Sequence, residues 1–165
     1  MVDTLWKTSV TVAAIVERDG RYLLVEEHTP DGLMLNNPAG HLDPGETPLD
    51  GAIRETLEET GRRFTPRALL GVYLSRAQRA EPPGDVTYVR LAFTGEVSEP
   101  LPGLALDAEI VRTLWLTPDE LRAQAARHRS PLLMRCVDDH RAGRRYPLDL
   151  VFSDPSVRRQ PLTPR

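Results

Sequence analysis

A single cysteine, Cys136, stands in 165 residues, so no disulfide can close within the chain and no zinc site can be built from several thiolates. With no activating partner evident, Cys136 reads as a small core residue. Lysine is nearly absent too: Lys7 is the only one among 21 basic residues, a usage that reflects coding bias and still leaves many guanidinium groups for phosphate. Positive charge is not in excess. The formal net charge of -3 argues against the broad basic surface on which binding to a nucleic-acid polymer rests. No apolar run approaches a transmembrane length, and the stretch before Thr8 carries Asp3 without a basic and then apolar leader pattern. The expectation is a cytoplasmic protein with no membrane partner. Neither a repeat nor a linker divides the chain, so one domain is expected over 8–152, followed by a loose polar, proline-rich tail over 153–165.

What is present is an ordinary globular composition, 40% hydrophobic and 27% charged. Val10 to Val16 and Tyr22 to Val25 are β-branched apolar runs flanking Asp19-Gly20, which predicts an antiparallel hairpin. Leu33 to Leu35 predicts a short strand, and Gly40 to Glu46 a loop. A helix is predicted over Pro48 to Thr60: Thr47 caps it, Pro48 suits the first turn, Asp50 completes the cap, and Gly61 suits a left-handed stop. Its residues Leu49, Ala52, Ile53, Thr56, Leu57 and Thr60 fall on one inward stripe. Strands are predicted over Ala68 to Ser75, Val86 to Val97 and Glu109 to Leu116, and helices over Pro118 to Ala126 and Pro131 to Ala142.

Glu55, Glu58 and Glu59 stand at i, i+3 and i+4, three carboxylates on adjoining positions of one helical face. An isolated pair of glutamates is usually a solvated surface, here with Arg54 pairing Glu58. Three acids in the second half of a helix are different, because the macrodipole disfavours negative charge there. A divalent cation would resolve both the repulsion and the dipole conflict. Clustered oxygens suit Mg²⁺, with Mn²⁺ also possible, and such an ion keeps sites for substrate phosphate oxygens. The acids are expected on a solvent-facing surface.

With Gly40, Glu46, Arg54 and Gly61, these acids complete the pattern GHLDPGETPLDGAIRETLEETGR, which resembles a Nudix box. Seven fixed identities at these spacings arise by chance on the order of once in a million chains of this length. Thr56 and Arg62 depart from the looser apolar positions of that pattern, which bears on helix packing rather than on metal binding. The resemblance implies an α/β/α sandwich with a mixed sheet and a loop-helix-loop at the substrate cleft. It also implies that Glu58 and Glu59 bind metal, that Glu55 binds metal or positions water, and that the Gly40 carbonyl oxygen is a further ligand. Glu46 and Arg54 would pair and hold the glutamates in register.

A narrower likeness, to the NudJ-type phosphatases of bacteria, rests on Thr11-Val12-Ala13, Leu24-Val25-Glu26-Glu27, Pro38-Ala39-Gly40-His41-Leu42, Arg129-Ser130-Pro131-Leu132 and Gly143-Arg144-Arg145-Tyr146-Pro147-Leu148. It implies hydrolysis of hydroxymethylpyrimidine diphosphate, thiamine diphosphate and some nucleotides with release of orthophosphate. Two alternatives stay open: a nucleotide pyrophosphohydrolase, and a nucleotide-sensing Nudix module without turnover. Partners are expected to be a small diphosphate alone, with monomer and homodimer both open.

Four residues outside the acidic cluster are candidate substrate contacts, each with a plainer reading beside it. Glu109 supplies a further carboxylate or is an ordinary acid at a strand entrance. Arg90 clamps a phosphate or faces solvent. His41 touches phosphate or is simply exposed. Trp6 stacks on a heteroaromatic ring or covers a sheet edge. Tyr146 is expected to anchor the C-terminal segment.

Overall fold

The computed structural model describes residues 8–78 and 84–158. Its first strand, β1 (Thr8–Ile15), is buried without alternation from Val12 onward, the mark of a strand covered on both faces. Ala13 and Ile15 enter one apolar core, with Leu133, Cys136 and Val137 of the helix α3 (Leu132–Arg141). Val12 and Ala14 enter the other, with Ala52 of the helix α1 (Pro48–Thr60). Helices therefore lie on opposite faces of β1, giving an α/β sandwich.

The sheet around β1 has the order β5-β1-β7-β6. In it β5 (Ala39–His41) is antiparallel to β1, β7 (Asp85–Val97) parallel to β1, and β6 (Phe64–Gln78) antiparallel to β7. The parallel β1/β7 pair makes this sheet mixed. A second sheet is built on β3 (Arg21–Thr29), which pairs on one side with β2 (Glu17–Arg18) and β4 (Gly32–Asn36) and on the other with β8 (Ile110–Leu116).

Two expectations change here. Asp19 and Gly20, at φ 51° and 75°, do form a tight turn, but it joins β2 to β3. The run from Val10 pairs instead with β5 and β7, because a strand apolar on both faces needs cover that a hairpin partner alone does not provide. Secondly, Gly40 and His41 belong to the edge strand β5 rather than to a loop.

Helix α1 has the predicted bounds. Thr47 accepts from Asp50 N while the Asp50 carboxylate accepts from Thr47 N, and Gly61 closes the helix at φ 65°. Its inward stripe is wider than predicted, since Glu55 and Glu59 are buried alongside Ala52, Thr56 and Thr60. Glu55 and Glu59 are therefore not on a solvent-facing surface, whereas the Glu58 side chain is 41% exposed: α1 packs against β1 and β5, and Glu59 lines the space between the sheets. Both departures from the box pattern are accommodated. Thr56 is wholly buried with its hydroxyl donating to Ala52 O at 2.7 Å, and Arg62 donates to Ser98 O with its guanidinium 5.7 Å from the Trp115 ring centre.

The predicted Pro118 to Ala126 helix ends early, as α2 (Pro118–Arg122) followed by a 3-10 turn at Ala125–Arg127. Tyr146 exchanges backbone hydrogen bonds with Leu69, tying the C-terminal segment to β6. Part of the expected tail is structured: Pro155–Arg158 forms a 3-10 turn, and Arg158 pairs with Asp50 at 2.7 Å. No helix among the described residues is long and apolar enough to cross a membrane.

Candidate active site

Arg54 organises the acidic end of α1. Its Nε and Nη2 donate to the two oxygens of Glu46 at 2.9 and 2.7 Å, the planar fork that lysine cannot reproduce. Its Nη1 donates to Glu55 and to Glu58, each at 2.8 Å, and Nη2 also reaches the His41 carbonyl. The Arg54 hydrogen bond holds the Glu46 carboxyl below its ordinary range and raises the guanidinium further above its own. One guanidinium thus fixes three carboxylates and the end of β5.

The carboxylates that converge are Glu55, Glu58 and Asp107, with an oxygen of each within 4.8 Å of the others. Asp107 is absent from the sequence-derived set. It sits in the Pro/Gly-rich stretch before β8, where its backbone N–H donates to Glu58 O at 3.0 Å. Only this tertiary contact brings it to the helix, and the one sequence signal is an acid two residues before Glu109. Burial raises the carboxyls of Glu55 and Asp107, and repulsion from Glu58 adds to both. Such a cluster of carboxylate oxygens fits a hard divalent cation.

Glu59 is not part of that group. It lies deeper, accepts from Ala39 N at 2.8 Å, and burial pushes its carboxyl up to about 9, with Glu27, Glu55 and Asp107 adding repulsion. Gly40 faces Glu55 closely: a Cβ there would lie 2.1 Å from the Glu55 carboxyl carbon. Any side chain at this position would displace the Glu55 carboxylate, whatever the Gly40 carbonyl does.

Beyond the acids a cleft of about 770 Å³ opens between the two sheets. Gly40, Glu59 and Asp107 line it together with Glu27, Asn36 and Arg90, and Arg129-Ser130-Pro131-Leu132 and the β6/β7 strands form walls. Glu109 and His41 line the cleft, both exposed, with the His41 ring 6.2 Å from that of Tyr88. Arg90 is not a solvent-facing residue. It is 6% exposed, its Nε and Nη1 have no partner, and burial lowers its pKa. Trp6 lies outside the described residues. Cys136 is fully buried, its thiol pushed up to about 11 by burial, which keeps it protonated and inert.

Residues 6–136 match the family model of the NUDIX domain. Over 147 residues, 89% of this chain and 92% of the relative, the sequence is 33% identical to a protein of Shigella flexneri named phosphatase NudJ. A solved NUDIX hydrolase from Nitrosomonas europaea superposes with a TM-score of 0.81 at 48% identity, covering 90% of this chain and 98% of that one. A MutT NUDIX hydrolase from Burkholderia pseudomallei, at 21% identity and a TM-score of 0.64 over 81% of this chain and 98% of its own, is similar in fold.

Proposed function

The chain belongs to the NUDIX domain family and is a hydrolase, and from that premise we propose that it removes the terminal phosphate from a diphosphate on a small metabolite. The observation that carries this reading is the convergence of Glu55, Glu58 and Asp107 beside the cleft that Asp107 lines. These three would hold Mg²⁺, or Mn²⁺ in its place, with the Gly40 carbonyl oxygen a further ligand. When bound, the cation would neutralise charge on the phosphate oxygens and acidify the attacking water. Glu46 and Arg54 keep Glu55 and Glu58 side by side, so the site is ordered before substrate arrives. Glu59 lies behind them and lines the same cleft, its carboxyl raised by burial. Arg90, His41 and Glu109 border the space in which the substrate would lie.

The substrate in this reading is hydroxymethylpyrimidine diphosphate or thiamine diphosphate, with some nucleotides beside them. The support is the likeness to the NudJ phosphatases in segments outside the box, of which Arg129-Ser130-Pro131-Leu132 forms a cleft wall. Hydrolysis with Mg²⁺ in oxygen-18 water, read by mass spectrometry, is expected to place the label in released orthophosphate. Pyrophosphate release would instead make the protein a nucleotide-type pyrophosphohydrolase. Nucleotide binding without any turnover would make it a sensing module.

A further inference from the structure

Arg62 stands at one of the looser positions of the box that are apolar in the pattern, and it is buried all the same, only 7% exposed. Its contacts are few for a buried cation. Nη1 donates to Ser98 O at 3.0 Å, the exposed Glu99 side chain approaches Nη1 to 3.6 Å, and Nε has no hydrogen-bond partner. The guanidinium carbon lies 5.7 Å from the Trp115 ring centre, within cation–π range. For packing alone, a buried guanidinium so thinly paired is a worse choice than an apolar side chain. It needs a reason beyond packing.

That reason lies in what Arg62 holds. β7 ends at Val97 and β8 begins at Ile110, so residues 98–109 form an irregular connection between them. The connection runs back along the end of α1: Ser98 N donates to Arg63 O at 3.0 Å, Leu101 N to Gly61 O at 2.8 Å, and Asp107 N to Glu58 O at 3.0 Å. Glu58 O is among the last carbonyls of α1, which the helix itself leaves without a partner. Arg62 grips the connection at its first residue, and Arg18 holds the residues on either side through Val97 O and the Glu99 carboxylate, at 2.9 and 2.7 Å. Glu55 and Glu58 belong to α1 and Asp107 to the connection, so the three carboxylates converge only while the two segments stay together.

We infer that Arg62 is a positioning residue: its guanidinium, bonded to Ser98 O and set against Trp115, clamps the connection to the end of α1 and so keeps Asp107 beside Glu55 and Glu58. A cation just past the C-terminus of a helix also offsets the macrodipole there, and no basic residue stands in the last turn of α1 itself. Leucine would supply apolar volume at this position but neither the bond to Ser98 nor the charge. Arg62 therefore acts through the connection and touches none of the three carboxylates. Its functional meaning rests on the cation site proposed above, whereas the clamp is a property of the chain without any cation.

The test begins with the full chain free of cation. In Arg62→Leu, amide hydrogen exchange followed by NMR is expected to accelerate at Leu101 and Asp107 on the order of tenfold or more, while the amides of β3 keep their wild-type rates. Calorimetric titration is then expected to show Mg²⁺ binding about ten- to a hundredfold weaker than in the wild type. Turnover should need correspondingly more Mg²⁺, with KM for the diphosphate nearly unchanged once Mg²⁺ is saturating. Exchange that is unchanged at Leu101 and Asp107, or faster by the same factor throughout the protein, would overturn the clamp, as would wild-type Mg²⁺ affinity. If Arg62→Leu fails to fold, Arg62→Lys, which keeps the charge without the planar fork, carries the same comparison. If the wild type binds no Mg²⁺, the function proposed above fails separately, and the exchange rates at Leu101 and Asp107 alone decide the clamp.

Discussion

Two acids two residues apart, Asp107 and Glu109, behave differently because of where their chain segment is tied. Asp107 is hydrogen-bonded through its backbone to the end of α1, and its carboxylate joins Glu55 and Glu58. Glu109 borders the same cleft outside that cluster. Replacing Asp107 by Asn keeps size and removes charge, so turnover should fall on the order of a hundredfold and the Mg²⁺ requirement should rise. Glu109→Gln should stay within about threefold of wild type, as expected for a surface acid. Steady-state kinetics across a Mg²⁺ titration checks both, and the reverse ranking would move the cation site toward Glu109. Sequence spacing shows the acids of a helix because their separation is local. It does not show Asp107, whose approach depends on a loop of no regular period.

The contact between β5 and α1 governs how well the carboxylates are held. Glu55 is buried against Gly40, with Arg54 gripping its outer oxygen. In Gly40→Ala the new methyl would meet the Glu55 carboxylate rather than backbone, so the side chain can swing aside and the fold should persist. The expected result is a loss of turnover of about ten- to a hundredfold with destabilisation of about 1–3 kcal/mol. Chemical denaturation beside kinetics would measure the two, and normal turnover in a folded Gly40→Ala protein would show that Glu55 need not sit where it does. The helix itself was legible in the sequence down to Thr47 and Gly61, because capping and termination act within a few residues. The role of β5 was not, since three residues of edge strand carry no period of their own.

At the scale of the whole molecule, the acidic cluster should couple cation binding to stability. Glu55, Glu58 and Asp107 repel one another, and any cation that binds only the folded chain relieves this. Mg²⁺ at a hundredfold excess over its Kd should stabilise the fold by about 2.7 kcal/mol, about 5–10 °C in the unfolding midpoint for a chain of this size. Chelation should reverse the shift, and Glu58→Gln should blunt it. An unchanged midpoint in scanning calorimetry across a wide Mg²⁺ range would count against the cation site.

The sequence by itself determined the helix α1, its caps, the glutamates it presents, the Arg54–Glu46 pairing and the family, all of which depend on spacing along a few turns. Only the tertiary structure decided that β1 pairs with β7 instead of completing a hairpin, that Glu55 and Glu59 are buried, that Asp107 completes the cluster, and that Arg90 is buried at the lining of a cleft. The physical reason is range. Helix periodicity and capping are fixed by neighbours in the chain, whereas burial and convergence depend on which distant strands share a core, and that is settled by the packing of both sheets together.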